Sequence, residues 1–424
     1  MREDFIHYLW RHQRFAAKDL STTTGESVSV IHPGQQNQND GPDFLGAQIR
    51  LGPILWAGAV EIHVKSSDWY AHRHQYDKNY QSVILHVVWE DDLEVVHPNG
   101  SLLATLELSP RVPQRLVQSY GQFFIDKVNT LPFQNHPDRF PQTRWNLFLE
   151  RIYVERLARK SKSIQKLLKE KNNDWDAVLF VLLAKNFGLN INGEAFAAVA
   201  QQIPFAIVRK YSRDASTLEA LFLGQSGLLT AATSGDYPKR LWQQYHYLKQ
   251  KHSLADYVGP SFHFSGLRPA NFPTLRWAQF AQLCARSSHL LADFFHGGKL
   301  TTKWLEKLQV SSFWEEHYTF HKTAKKRLKP LTKKFIDLIK INTLVPFYFC
   351  YLNAQGREAT EDLLEWMSQI PPEKNQSLAP YEALGVKATS ALQSQALLTL
   401  SSNYCQQKKC LLCNVGVYLL KKEA

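Results

Sequence analysis

From Ser27 to Leu108 the apolar residues fall in strand-like runs punctuated by Gly, Pro and Asn, and beyond Pro113 they recur with a helical period. This single switch constrains the fold more than any other feature of the chain, because the two patterns belong to different elements. SVSVIHPG, FLGAQIRL, ILWAGAVEIHVK, QSVILHVVWE and SLLATLEL read as five strands, with a hairpin at Leu51-Gly52-Pro53 and a helix over residues 4–16 before them. WNLFLERIYVERLARKSKSIQKLLKEKNNDWDAVLFVLLAKNFGL then alternates apolar and basic positions at helical spacing. Further helices are expected near 194–211, 215–225, 239–252, 276–296, 301–309 and 331–344. Strands gathered at one end and helices at the other predict an α+β protein, with an α+β domain over 1–112 and a mostly helical domain over 113–424.

Charge divides along nearly the same line. Residues 1–110 hold 8 Lys+Arg and 14 Asp+Glu, a balance of −6, and with 50 and 38 in the whole chain the remainder holds 42 and 24, a balance of +18. Acidic clusters hold cations and basic surfaces attract polyanions, so the division suggests a metal site in front and a nucleic-acid partner behind. Five cysteines in 424 residues do not make a secreted disulfide framework. No stretch reads as a signal peptide or as the roughly 20 apolar residues of a membrane span, and a cytoplasmic protein without a membrane partner is expected.

Within ILWAGAVEIHVK, Val60, Ile62 and Val64 form an apolar face, which leaves Glu61, His63 and Lys65 on the other. Asp43 opens the preceding strand, and the hairpin would bring it near Glu61. Two converging carboxylates suit Mg²⁺ or Mn²⁺, and a neighbouring amine or imidazole can position a water. The bland alternative makes Asp43 a turn residue and Glu61–Lys65 a solvated sheet face. Pro42-Asp43, a hairpin, and an acid followed closely by Lys resemble the PD-(D/E)xK arrangement of restriction-endonuclease-like nucleases. That resemblance implies a mixed-sheet nuclease domain with Asp43 and Glu61 as metal ligands. It departs from the pattern at one point: His63 stands two residues after Glu61, and Lys65 two residues later still.

A second ligand set follows in DWYAHRHQYDKNYQSVILHVV, where His72, His74, Asp77 and His86 could form a Zn²⁺ or Fe²⁺ site. His72 and His74 share a face only if their segment is extended. Farther on, RLARKSKSIQKLLKEK (156–171) and KTAKKRLKPLTKK (322–334) concentrate positive charge. Lys322, Lys325, Lys326 and Arg327, with Arg268 in the loop GLRPANFPTLR, are candidate contacts to a nucleic-acid backbone. Asn271 and Arg276 of that loop are polar residues in a rigid setting, with helix capping an equal account of Asn271. Near the C-terminus, Cys405, Cys410 and Cys413 have C-x₄-C-x₂-C spacing, able to hold Zn²⁺ or an iron–sulfur cluster with Cys350 or a His as fourth ligand.

MREDFIHYLW, NDGPDFLGAQIRL, WAGAVEIHVKSSDWYAHRHQYDKNYQSVILHVVWEDD, GLRPANFPTLR and YCQQKKCLLCNVG together are similar to one bacterial family, domain of unknown function 2851, over nearly the whole length. The resemblance implies a bacterial, cytoplasmic protein and brings no established activity, so the functional expectation rests on the residues. It is a metal-dependent nuclease-like hydrolase. The alternatives are a non-catalytic nucleic-acid-binding or scaffold protein and a His-based Zn/Fe enzyme.

Overall fold

A computed structural model of the chain describes residues 1–421 apart from 38, 98, 125–130, 135, 137, 138, 232–234, 298 and 359. The protein is α+β, with a mixed sheet in its N-terminal part and helices over most of the rest. Its contacts divide it into two compact units. One comprises Met1–Leu149, Lys374–Lys387 and Leu397–Ala424, the other Glu150–Glu373 and Ala388–Ala396. The last strand of the sheet ends at Glu107, close to the expected boundary at 112/113, but the first unit runs on past that point and takes in two later segments.

The first unit opens with α1 (Glu3–His12), which buries Phe5, Ile6, Leu9 and Trp10 along one side. Six strands follow: β1 (Val28–His32), β2 (Gln35–Gln36), β3 (Phe44–Leu51), β4 (Ile54–Lys65), β5 (Val83–Glu90) and β6 (Thr105–Glu107). They lie in the order β1-β3-β4-β5-β6, with β2 also paired to β3. β1–β3 and β3–β4 are antiparallel, whereas β4–β5 and β5–β6 are parallel. A parallel neighbour requires the chain to cross back, and residues 66–82 do so through α2 (Asp68–Ala71) and 3₁₀ turns at His74–Tyr76 and Lys78–Ser82.

Register then decides what faces what. Ile62 pairs with Val87 and Val87 with Leu106, all fully buried, and Phe5 of α1 lies against Trp89 and stacks on Tyr120. On the opposite face Glu61 pairs with His86, His63 with Val88 and Lys65 with Glu90. That face is covered in turn: Trp69 and Tyr80, from the crossover, pack with Ala59, Val83, Val95 and Leu103. Between β3 and β4 the register slips, so that Phe44 faces Val60 but Ala47 faces Gly58. The extra residue is a bulge, and Gly46 within it sits at φ +68, a conformation glycine adopts without strain.

In the second unit several helices are shorter than expected. The helix expected at 194–211 is broken at Pro204 into Leu189–Gln202 and Phe205–Lys210. The run 276–296 is a helix over Pro273–Arg286, an extended Ser287, a short helix Leu290–Phe294 and then a two-residue strand. Residues 303–307 form a 3₁₀ turn rather than an α-helix. By contrast the helix at 331–344 extends farther, to Ala354, through a π-helical turn at Lys340–Leu344. Lys333–Ala354 has the length and composition of a membrane span, a run not anticipated above, but most of it is buried inside the unit.

Gly58 marks where β4 meets the start of β5. A Cβ there would lie 2.6 Å from the carbonyl oxygen of Ser82 and would collide with the Ile84 side chain. Gly58→Val is therefore expected to lower stability by about 1–3 kcal/mol, from overpacking at a point where backbone must yield. Urea denaturation followed by circular dichroism measures this, and an unchanged midpoint would show that β5 can move aside.

Candidate functional site

The bulge turns the start of β3 toward the middle of β4, and two hydrogen bonds fix the result. The Asp43 backbone N–H donates to Glu61 Oε2 at 3.1 Å, and the Ile62 backbone N–H donates to Asp43 Oδ2 at 3.0 Å. Each carboxylate is thus held by backbone at or beside the other. Asp43 and Glu61 are brought together, as the hairpin predicts. Glu61 and His63 are only 4% and 1% exposed, so the face they share is not an ordinary solvated one.

α1 adds two groups that sequence reasoning passed over. Glu3 and His7, four residues apart on one side of the helix, face Asp43, with His7 Nε2 3.1 Å from Asp43 Oδ2. One ligating atom from each of Glu3, His7 and Asp43 lies within 4.8 Å of the other two. The i, i+4 spacing of the acid and the imidazole was legible, but nothing in the sequence placed α1 beside β3.

His63, His72 and His74 form a second group within the same 4.8 Å limit. His72 and His74 do not lie on an extended segment. His72 ends α2, His74 begins the next 3₁₀ turn, and Arg73 between them takes a left-handed φ of +61 that turns the chain there. His63 is hydrogen-bonded through Nδ1 to His86 Nε2 at 2.8 Å and through Nε2 to His72 Nδ1 at 3.1 Å. His74 stacks on Tyr80 with ring centroids 3.8 Å apart. Glu61 links the two groups, its Oε1 lying 3.4 Å from His74 Nε2 and 3.6 Å from His63 Nε2. Asp77 takes no place in either group; it caps the turn after it by accepting from the Asn79 backbone N–H.

Lys65 goes elsewhere. Its amine lies 3.7 Å from Glu90 and 3.6 Å from Asp92. Asp92 also accepts from Ser66 and Ser67, which fixes the turn leaving β4. Of the two residues that could position a water, His63 therefore stands beside Glu61, while Lys65 is engaged with other carboxylates.

The donor set suits a divalent cation of intermediate hardness: carboxylates from Glu3, Asp43 and Glu61 with imidazoles from His7, His63, His72 and His74. Among the described residues the buried His86 Nδ1 has no hydrogen-bond partner. His7 Nε2 and His74 Nε2 instead face carboxylate oxygens, Asp43 Oδ2 at 3.1 Å and Glu61 Oε1 at 3.4 Å, so imidazole and carboxylate donors converge in one place.

The candidate nucleic-acid contacts lie in the second unit. Lys322, Lys325, Lys326, Arg327 and Arg268 are exposed, Arg327 donates to the Tyr318 hydroxyl, and Lys326 lies 3.9 Å from both Glu315 and Glu316. Lys329 in the same run is buried and donates to the carbonyls of Trp314 and His317. Arg156 and Lys160 also turn inward, both donating to the Asn342 side chain. Arg276 is a structural residue: it is buried, lies over the Phe335 ring at 3.7 Å, and donates to Gln279 and Asn271. Asn271 is accordingly an acceptor for Arg276 and not a helix cap, since Phe272 holds the cap position.

Cys405, Cys410 and Cys413 are free thiols, and burial pushes Cys405 up to about 12. Cys405 contacts the Tyr381 hydroxyl at 3.5 Å. Among the described residues the cysteines form no group with three ligating atoms within 4.8 Å, unlike the two groups above. Cys350 belongs to the other compact unit, where its thiol faces the Ser161 carbonyl.

Burial, reinforced by neighbouring imidazoles, holds His63 down at about 2, His86 at about 3 and His74 at about 4. Burial and then the charge of Asp43 push Glu61 up. For His7 burial acts downward, but contact with Asp43 and the charge of Glu3 outweigh it, and its pKa is raised.

These directions fix how stability depends on pH. Three imidazoles take up protons near 6.5 only when unfolded, so their contribution is present above that pH and lost as pH falls. Glu61 opposes them, because the folded chain keeps its proton where an unfolded carboxyl near 4.5 has lost it. The balance is about two extra protons bound by the unfolded chain between pH ~4.5 and ~6.5. In EDTA the urea midpoint is expected to fall as pH is lowered across that interval; a flat or rising midpoint would contradict this account of the imidazoles.

A family model described as protein of unknown function (DUF2851) matches residues 3–376. The matched range contains both ligand groups and ends before Cys405. No curated protein and no solved structure matches the chain.

Proposed function

The chain belongs to the DUF2851 family of proteins of unknown function, and we propose that its front sheet is a divalent-metal centre that hydrolyses nucleic-acid phosphodiesters. The observation that carries this reading is the reciprocal pair of hydrogen bonds holding Asp43 and Glu61 together at the bulge. Support also comes from its setting: a helix, an antiparallel hairpin bearing the two acids, a helical crossover and a parallel strand. This is the context in which the PD-(D/E)xK resemblance was drawn.

Asp43 and Glu61 would hold the cation, with His7 and Glu3 beside them. When bound, such an ion offsets negative charge developing on the phosphate and on the leaving oxygen. The mixed carboxylate and imidazole donors favour Mn²⁺ over Mg²⁺. His63, two residues after Glu61, would orient the attacking water through Nε2, the nitrogen that faces Glu61 and now meets His72 Nδ1, while Nδ1 stays hydrogen-bonded to His86 Nε2. The exposed cations Lys322, Lys325, Lys326, Arg327 and Arg268 would contribute phosphate contacts that do not read sequence.

One observation favours a second reading. The three nitrogens of His63, His72 and His74 make a facial set suited to Zn²⁺ or Fe²⁺ without any carboxylate. Calorimetric Mn²⁺ titration and cleavage of a labelled oligonucleotide separate the two. Asp43→Ala/Glu61→Ala is expected to abolish Mn²⁺ binding and lower cleavage at least ~10²-fold. His63→Ala should retain most Mn²⁺ binding while cleavage falls. Metal binding and cleavage that survive loss of both carboxylates but vanish in His72→Ala/His74→Ala would replace the carboxylate centre with the imidazole one.

A further inference from the structure

On α1 the residues Asp4, Tyr8 and Arg11 follow one another at helical spacing, next to the side that carries Glu3 and His7. They floor a cleft of about 290 Å³, closed on its other side by Gln407, Lys408, Lys409, Leu411 and Leu412. Its charge is one-sided. Arg2, Arg11, Lys408 and Lys409 line it against a single acid, Asp4. That acid is already engaged, with one oxygen 2.8 Å from the Tyr120 hydroxyl and the other 3.1 Å from Arg2.

Two of these cations, Arg11 and Lys409, have little to balance them. Arg11 donates to the neutral side-chain oxygen of Gln36 at 3.2 Å. Among the described residues neither Arg11 nor Lys409 has a carboxylate within 4.0 Å. His12, at the edge of the cleft, is pulled down by burial and then by the charges of Arg11, Lys421 and Arg14. The wall itself is anchored: Cys410 and Cys413 are buried, and Gly416 packs so closely on the Cys410 carbonyl that a Cβ would collide with it.

The cleft also opens beside the candidate metal ligands. His7 lines it and reaches Asp43 from the same ring. His7 is thus shared by the cleft and the ligand group around Asp43. At about 290 Å³ the cleft is at the small end of ligand sites, room for one phosphate-bearing unit and not for a duplex.

We propose that the cleft between α1 and residues 407–412 is a substrate-strand subsite, seating one phosphate of a single-stranded nucleic acid while a neighbouring phosphodiester lies at Asp43 and Glu61. This rests on the reading of the front sheet as a phosphodiesterase centre, and it commits that centre to unpaired strands.

Binding of a fluorescently labelled single-stranded DNA 12-mer, followed by anisotropy in EDTA, tests the cleft without involving the metal. Arg11→Gln/Lys409→Gln changes two exposed side chains, and an unchanged melting temperature would confirm that the variant is folded. It is expected to bind the 12-mer about tenfold or more weakly and to flatten the slope of log affinity against log salt by about 0.7, one neutralised phosphate on a single strand. Wild-type affinity and slope in the folded double variant would overturn the subsite. So would equal displacement of the strand by inorganic phosphate at matched phosphate concentration, which would make the cleft a site for free phosphate, or tighter binding of the corresponding duplex. Loss of strand binding in the double variant combined with intact Mn²⁺ binding in Asp43→Ala/Glu61→Ala would keep the cleft and remove the metal centre instead.

Discussion

Everything in the front sheet is arranged around two carboxylates that ought to repel each other. Asp43 and Glu61 are held close by backbone N–H groups, each donated at or next to the partner residue, and Glu61 is almost wholly buried. Two negative charges so placed, one of them almost wholly buried, are unstable without a counter-charge, and the fold meets this by forcing a proton onto Glu61. On the Asp43 side His7 supplies part of the counter-charge, its pKa raised by that contact. On the Glu61 side His63, His74 and His86 are kept neutral by burial, and Lys65 is turned toward Glu90 and Asp92. A cation entering this site would displace the proton and meet oxygen and neutral nitrogen donors already in place. On the reading proposed above, the backbone clasp holds electrostatic strain that a cation would relieve.

How much of this was legible follows from which contacts are local. Alternation along β4 puts Glu61 and His63 on one face, and a hairpin of that length brings Asp43 opposite, so the pair could be found from sequence. The role of Lys65 could not, because its partners Glu90 and Asp92 arrive only through the parallel pairing of β4 with β5. His72 and His74 were visible as a His-x-His pair, yet their convergence depends on a left-handed Arg73, for which the sequence carries no signal as strong as glycine. Glu3 and His7 were visible only as an ordinary helical pair until α1 was docked on the sheet.

The same distinction explains the basic segments and the loop at 266–277. Positive charge in a helical pattern says nothing about direction. Arg156 and Lys160 are drawn inward by Asn342, at a π-helical turn whose irregular backbone no period could reveal, while Lys322 and Lys325 remain outside. Arg276 and Asn271 look functional because they are polar in a rigid loop, but rigidity is what they provide, through a guanidinium held between a phenyl ring and two amides. Cysteine spacing leaves two roles open for a related reason: a thiol is also a small apolar group, and Cys410 and Cys413 are buried.

The front unit is assembled from both ends of the sequence, and this bears on when it can be complete. Its sheet and α1 are made early, but residues 150–373 must be synthesised before Lys374–Lys387 and Leu397–Ala424 can join them. Until then α1 would have no opposing wall, and the apolar side of the tail, with Val415, Leu419 and Leu420, would have no place to pack. Contacts of such long sequence separation form late in folding because loop closure precedes any gain from them. A nascent chain would thus hold its candidate metal ligands in a half-built setting throughout most of translation. Timing is therefore built into the topology: the first part of the chain to be made is the last to be finished.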